Sequence, residues 1–119
     1  MTQEEKELLI KDLCARLPYG VKMSVNDNVE VLQGINIVDN IVEYSSFLAS
    51  EIEDCKPYLF PLSSMTEEQE KEYNDLNCYE LGCFPHSEEA LDYLTKNHFD
   101  YRYLIEKGLA IDATSLNIY

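Results

Sequence analysis

Apolar residues recur at helical spacing near the start of the chain. Leu9, Leu13 and Leu17 stand at i, i+4 and i+8 with Leu8, Ile10 and Cys14 beside them, while Glu4, Lys11, Asp12 and Arg16 supply the polar positions. One apolar face predicts a helix over residues 1–18. Thr2 followed three residues later by Glu5 forms a capping box, and Pro18 with Gly20 ends the helix. From Val21 the period changes to two: Val21, Met23 and Val25 alternate with Lys22 and Ser24, and Val29 and Val31 flank Glu30. Asn26-Asp27-Asn28 between them is turn chemistry, because Asn and Asp tolerate positive φ. A further strand is expected across Ile35, Ile37 and Val38 with a bulge or bend at Gly34. A turn at Asp39-Asn40 and a strand from Ile41 to Tyr44 follow. The stretch over residues 45–54 suits either a strand or a helical turn. Residues 55–62 carry Pro57 and Pro61, which predict an extended segment at a sheet edge.

The second half reads as helices. Thr66 and Gln69 form another capping box, with Glu67, Glu68 and Glu70 in the first turn, where carboxylates favour the positive end of a helix dipole. That helix runs to about Asn77. Ser87 can cap a third helix that turns Ala90, Leu91 and Leu94 inward and ends near Asn97. Asp100 is positioned to cap a short fourth helix, with Phe99 and Leu104 stapling its start and Gly108 stopping it. The expected architecture is one α+β domain over residues 1–119. An N-terminal helix (1–18) precedes a bent antiparallel sheet of three to five strands (21–62), a helical part (66–108) and a tail (109–119). Short strands joined by tight turns also suit a small SH3-like barrel.

The 119 residues are enough for one core and too few for two, and an apolar fraction of 45% with nine tyrosines supports folding despite a net charge of −14. The charge is uneven. Between Pro61 and Asp100 ten carboxylates face two lysines, a balance of −8. Such a surface repels nucleic acid and anionic lipid and attracts basic protein grooves. The N-terminus lacks a basic region followed by an apolar run, and no apolar stretch approaches membrane-spanning length. A cytoplasmic protein is expected, with Cys14, Cys55, Cys78 and Cys83 as reduced thiols.

Candidate chemistry is sparse. Cys78, Cys83 and His86 lie within nine residues, with Cys55 or His98 available as a fourth ligand. The separation between the two cysteines is wider than the tight knuckle zinc usually takes, and small buried hydrophobes are the favoured explanation for them. A Cys83–His86 nucleophile pair would sit among acids that make a thiolate scarcer. Four isolated glycines form no phosphate loop. No metal, cofactor or catalytic residue is therefore expected. Glu67, Glu68, Glu70, Glu72, Asp75, Glu88, Glu89 and Asp92 are the candidate contact residues, although helix capping and solubility explain several of them as well.

Three phrases carry a resemblance. They are Leu13-Cys14-Ala15-Arg16-Leu17-Pro18-Tyr19-Gly20-Val21, Lys56-Pro57-Tyr58-Leu59-Phe60-Pro61-Leu62-Ser63-Ser64-Met65-Thr66, and His98-Phe99-Asp100-Tyr101-Arg102 with Leu104-Ile105-Glu106-Lys107-Gly108-Leu109-Ala110. They resemble small uncharacterised proteins of phages and mobile elements from gut bacteria. The resemblance implies a viral or mobile-element setting and assigns no site. Together with the charge, it leads to the expectation of a non-enzymatic accessory. Its partner would be a host or element-encoded protein with a basic, nucleic-acid-binding surface, engaged without direct contact to nucleic acid or membrane. The alternative is a small metal-binding or structural protein using Cys78, Cys83 and His86.

Overall fold

The computed structural model describes residues 1–76 and 88–119. Helix α1 spans Gln3–Arg16, and its capping box forms as the sequence predicts: Glu5 N–H donates to Thr2 Oγ1 at 3.1 Å and Thr2 N–H donates to Glu5 Oε1 at 2.8 Å. A 3-10 turn at Leu17–Tyr19 follows, and Gly20 at φ +65° takes the left-handed conformation that stops the helix. The buried stripe of α1 differs from the expected one. Leu9, Asp12, Leu13 and Arg16 are its fully buried residues, spaced i, i+3, i+4 and i+7, so two residues assigned to the polar face lie in the interior. Leu17 falls outside the helix and is only half-buried, which turns the stripe away from the leucine row.

Residues 21–62 hold five antiparallel strands: β1 (Lys22–Val25), β2 (Asn28–Asn36), β3 (Ile41–Tyr44), β4 (Ala49–Glu51) and β5 (Cys55–Pro61). The β1–β2 hairpin pairs Val25 with Asn28 across a two-residue loop. Asn26 (φ +50°) and Asp27 (φ +65°) both take positive φ, the requirement of a type I′ turn. Gly34 marks the register shift between β2 and β3, as expected of a bulge. The phase of β2 is set by Leu32, which is buried, whereas Val29 is exposed. Ile37 and Val38 do not form a strand. They sit in the turn before β3, Val38 90% exposed, because Asn36 folds the chain over by accepting the Asp39 N–H at 3.1 Å and donating to the Asp39 carboxylate.

Strand β5 lies inside the sheet, not at its edge. The order is β4-β3-β2-β1-β5-β6, with β7 also on β5, where β6 is Phe99–Asp100 and β7 is Ile111–Asp112. Prolines are tolerated there because Pro57 and Pro61 fall at the ends of short ladders, opposite Met23 and Asp100, where a missing donor costs one bond and interrupts no run. Among the described residues the order is an open path from β4 to β6 and closes no barrel. Both β6 and β7 run parallel to β5. Parallel neighbours need a crossover, and that crossover contains α2 (Glu67–Leu76) and α3 (Glu88–Lys96). α3 packs on α1 and β6, turning Ala90 and Leu94 inward, and α2 packs on α3.

The expected fourth helix is a single capped turn. Asp100 accepts the N–H groups of Leu104 at 2.9 Å and Ile105 at 3.0 Å, which starts a helical turn. Gly108 at φ +74° closes it at once: Gly108 N–H reaches Ile105 O and Leu109 N–H reaches Leu104 O, a Schellman pattern. The segment expected as a tail supplies β7 and ends with Tyr119, whose hydroxyl accepts Lys22 N–H at 2.7 Å and donates to Tyr58 O at 2.9 Å.

One buried ion triad joins the two halves. Asp12 Oδ2 accepts Arg16 Nε at 2.7 Å, Asp12 Oδ1 accepts Arg102 Nε at 3.2 Å, and Arg16 Nη2 donates to Phe99 O at 2.7 Å. Removing one partner of a buried pair strands the other charge. Asp12→Ala is expected to lower the unfolding free energy by about 3–5 kcal/mol, read from urea denaturation followed by circular dichroism. A loss below about 1 kcal/mol would assign the triad no structural weight.

Candidate functional site

Two surfaces sit on the crossover. The first is acidic. Glu67, Glu68, Glu70, Glu72 and Asp75 on α2 and Glu89 and Asp92 on α3 are all exposed, and Glu88 opens α3. Thr66 and Gln69 start α2 with the predicted box: Gln69 N–H donates to Thr66 Oγ1 at 3.2 Å and Thr66 N–H to Gln69 Oε1 at 2.9 Å. The helices meet at Tyr93 of α3, whose hydroxyl donates to Glu72 Oε2 at 2.9 Å. Burial, that hydrogen bond, and the charges of Glu72 and Glu68 push the Tyr93 phenol up to about 12, so Glu68 and Glu72 are both felt at α3. Among the described residues none of these carboxylates is ion-paired; the salt bridges join Lys6 to Glu53 and Asp12 to Arg16 and Arg102.

The second surface is a cleft of about 370 Å³ where α2, the end of α3, β5, β6 and the C-terminal segment converge. Four rings floor it. His98 and Tyr119 stack with centroids 3.9 Å apart, and Phe60 lies 5.7 Å from Tyr119 and 6.2 Å from Phe99, both tilted. Ser64, Gln69, Lys96, Asn97 and Thr114 complete the lining, so among the described residues its one charged side chain is Lys96. Local hydrogen bonds orient the amides. Gln69 Oε1 is occupied by Thr66 N–H, leaving its NH2 outward, and Asn97 Nδ2 donates to Tyr93 O at 2.9 Å, leaving its carbonyl oxygen.

His98 follows α3 with φ +64°, a left-handed terminator where glycine is usual. Its imidazole is held near pKa 4 by burial first and then by the positive charges of Arg16 and Lys22, and its Nδ1 is buried without a hydrogen-bond partner. Lys22 Nζ lies 5.5 Å from the Tyr119 ring centroid and donates to Ile118 O at 2.6 Å. The cleft floor is thus locally positive in a molecule of net charge −14.

The remaining sequence candidates fall elsewhere. Cys78, Cys83 and His86 lie outside the described residues, among which no group of three metal ligands occurs. Cys55 is buried at the start of β5, its thiol 3.6 Å from Ile52 O and its pKa pushed up by burial, and Cys14 is exposed. No helix among the described residues is long and apolar enough to cross a membrane. Sequence reasoning placed Gln69 only as a cap and missed the cleft, which gathers residues from Phe60 to Tyr119 with no local motif to announce it. The one local signal was Asn97-His98 directly after a helix with no glycine to end it. Searches against protein-family models, curated proteins and solved structures return no match for this chain.

The depressed His98 pKa sets a pH dependence. The unfolded chain takes up a proton near pH 6.5 and the folded chain only near pH 4, so between those values the unfolded state binds more protons and stability falls as pH falls. The urea midpoint is expected to drop through this window, and less so in His98→Gln; an NMR titration placing the His98 ring near its ordinary value would contradict the burial argument.

Proposed function

We propose that this chain is a non-enzymatic binding protein that presents α2 and α3 to a basic site on a partner protein. The observation that carries the reading is the set of seven described carboxylates on two packed helices, all open to solvent and none paired with a lysine or arginine. Unneutralised exposed carboxylates contribute little to folding, and their summed field favours association with a cationic surface. The partner we infer is one whose basic groove otherwise holds nucleic acid, which the acidic helices imitate in charge. The resemblance to phage and mobile-element proteins fits a host protein in that role. Direct contact with nucleic acid or anionic membrane is disfavoured by the same field, and we place the activity in the cytoplasm.

The attraction is screened over about 10 Å at 0.1 M salt and about 3 Å at 1 M. Immobilised protein and the variant E67Q/E68Q/E70Q/E72Q are compared on gut-bacterial lysate at low and at 1 M salt, with helicity checked by circular dichroism. The expected outcome is capture of a protein with a basic surface by the parent at low salt, lost at 1 M salt and lost in the variant. Equal capture by both proteins, or captured proteins without a basic face, would sink the proposal.

A further inference from the structure

We propose that the cleft between α2, the end of α3 and the C-terminal segment binds a small flat heterocycle carrying an anionic group, of the nucleoside monophosphate kind, with its ring on the His98–Tyr119 wall and its anion on Lys96. This site is separate from the acidic helix face and does not depend on how that face is used.

Four features of the cleft select this class. Its volume of about 370 Å³ lies within the range of pockets for small organic ligands, and it admits little beyond a single nucleotide. Its lining is aromatic, with Phe60, His98 and the 41% exposed Tyr119 along it, and contact with aromatic side chains is the sequence-tolerant way proteins hold bases. Its rim offers one fixed donor, the Gln69 NH2, and one fixed acceptor, the Asn97 carbonyl oxygen, because the other end of each amide is held by Thr66 N–H and Tyr93 O. A heterocycle carrying both an acceptor and a donor can pair with them. Finally, the charges at the floor are cationic. Lys96 lines the cleft, Lys22 lies over the Tyr119 ring, and the Arg16 guanidinium, held to Phe99 O, acts on His98 from behind. No aspartate or glutamate is among the described lining residues, although the chain carries 23. No glycine-rich loop is present, so the anion is held by a side-chain cation and not by a backbone nest.

The strained backbone at His98 belongs to the same arrangement. A left-handed conformation is unfavourable for a non-glycine residue, and this one holds the imidazole face to face with Tyr119 at the cleft floor.

The experiment is a ¹H–¹⁵N NMR titration of the full chain with the four common nucleoside 5′-monophosphates, with adenosine, and with inorganic phosphate, at constant ionic strength. At least one monophosphate is expected to shift the amides of Gln69, Lys96, Asn97, His98 and Tyr119. Adenosine should bind about tenfold more weakly than its monophosphate, the loss of one charge-assisted contact, and phosphate alone should shift nothing. Lys96 is exposed, so Lys96→Ala leaves the fold intact and is expected to bring the monophosphate down to the nucleoside's affinity. Gln69→Glu keeps the cap, since glutamate accepts the Thr66 N–H equally well, but it replaces the free donor with a carboxylate and should reduce monophosphate binding more than tenfold. Absence of shifts around the cleft with every monophosphate at about 1 mM, shifts with phosphate alone, or unchanged affinity in both variants would overturn the assignment.

Discussion

A carboxylate shared by two guanidinium groups in the interior ties this molecule together. Asp12 and Arg16 are both 0% exposed, and Arg102 completes the triad from ninety residues away in sequence. Asp12 balances Arg16 inside, and Arg102, its side chain 21% exposed, adds positive charge at the boundary. The Tyr101 ring offsets part of it, lying 5.4 Å from the Arg16 guanidinium carbon and 4.9 Å from that of Arg102. The hydrogen bond from Arg16 to Phe99 O fixes β6 against α1. Once β6 is placed, the crossover from β5 must travel over one side of the sheet, and α2 and α3 lie where that path takes them.

The same triad shapes the electrostatics of the surface above it. The positive charge of Arg16 acts on His98 at the floor of the cleft. Lys22 adds to it from the sheet, and His98 is held neutral first by its burial and then by these two charges. A few residues away the exposed faces of α2 and α3 carry an unpaired excess of carboxylates. One crossover therefore presents two environments of opposite sign.

The sheet shows how little of such an arrangement is carried by local pattern. Asn26-Asp27 and Gly34 announced a hairpin and a bulge because each meets a backbone requirement that few residues satisfy. Ile37 and Val38 announced a strand by composition and form a turn, since Asn36 and Asp39 close the chain on itself and apolar character alone does not outweigh that. Pro57 and Pro61 suggested an edge. Whether a proline sits at the end of a ladder depends on the partner's length, which is a property of the partner.

Helix starts, tight turns and most of the strands were legible in the chain itself, because capping boxes, turn residues and hydrophobic periods act over three or four positions. The helix starts at Thr2 and Thr66, the β1–β2 turn, the strands of residues 21–62 and the concentration of acid on α2 and α3 all belong to that class. Tertiary structure alone decided that Asp12 and Arg16 are interior, that β6 and β7 extend the sheet in parallel, that Asp100 caps a turn and not a helix, and that Tyr119 reaches back to Lys22 and Tyr58. Each of these rests on a partner distant in sequence. An arginine in a helix reads as solvated until a carboxylate, a backbone carbonyl and an aromatic ring converge on it, and a cleft assembled from separate segments has no local spacing to reveal it.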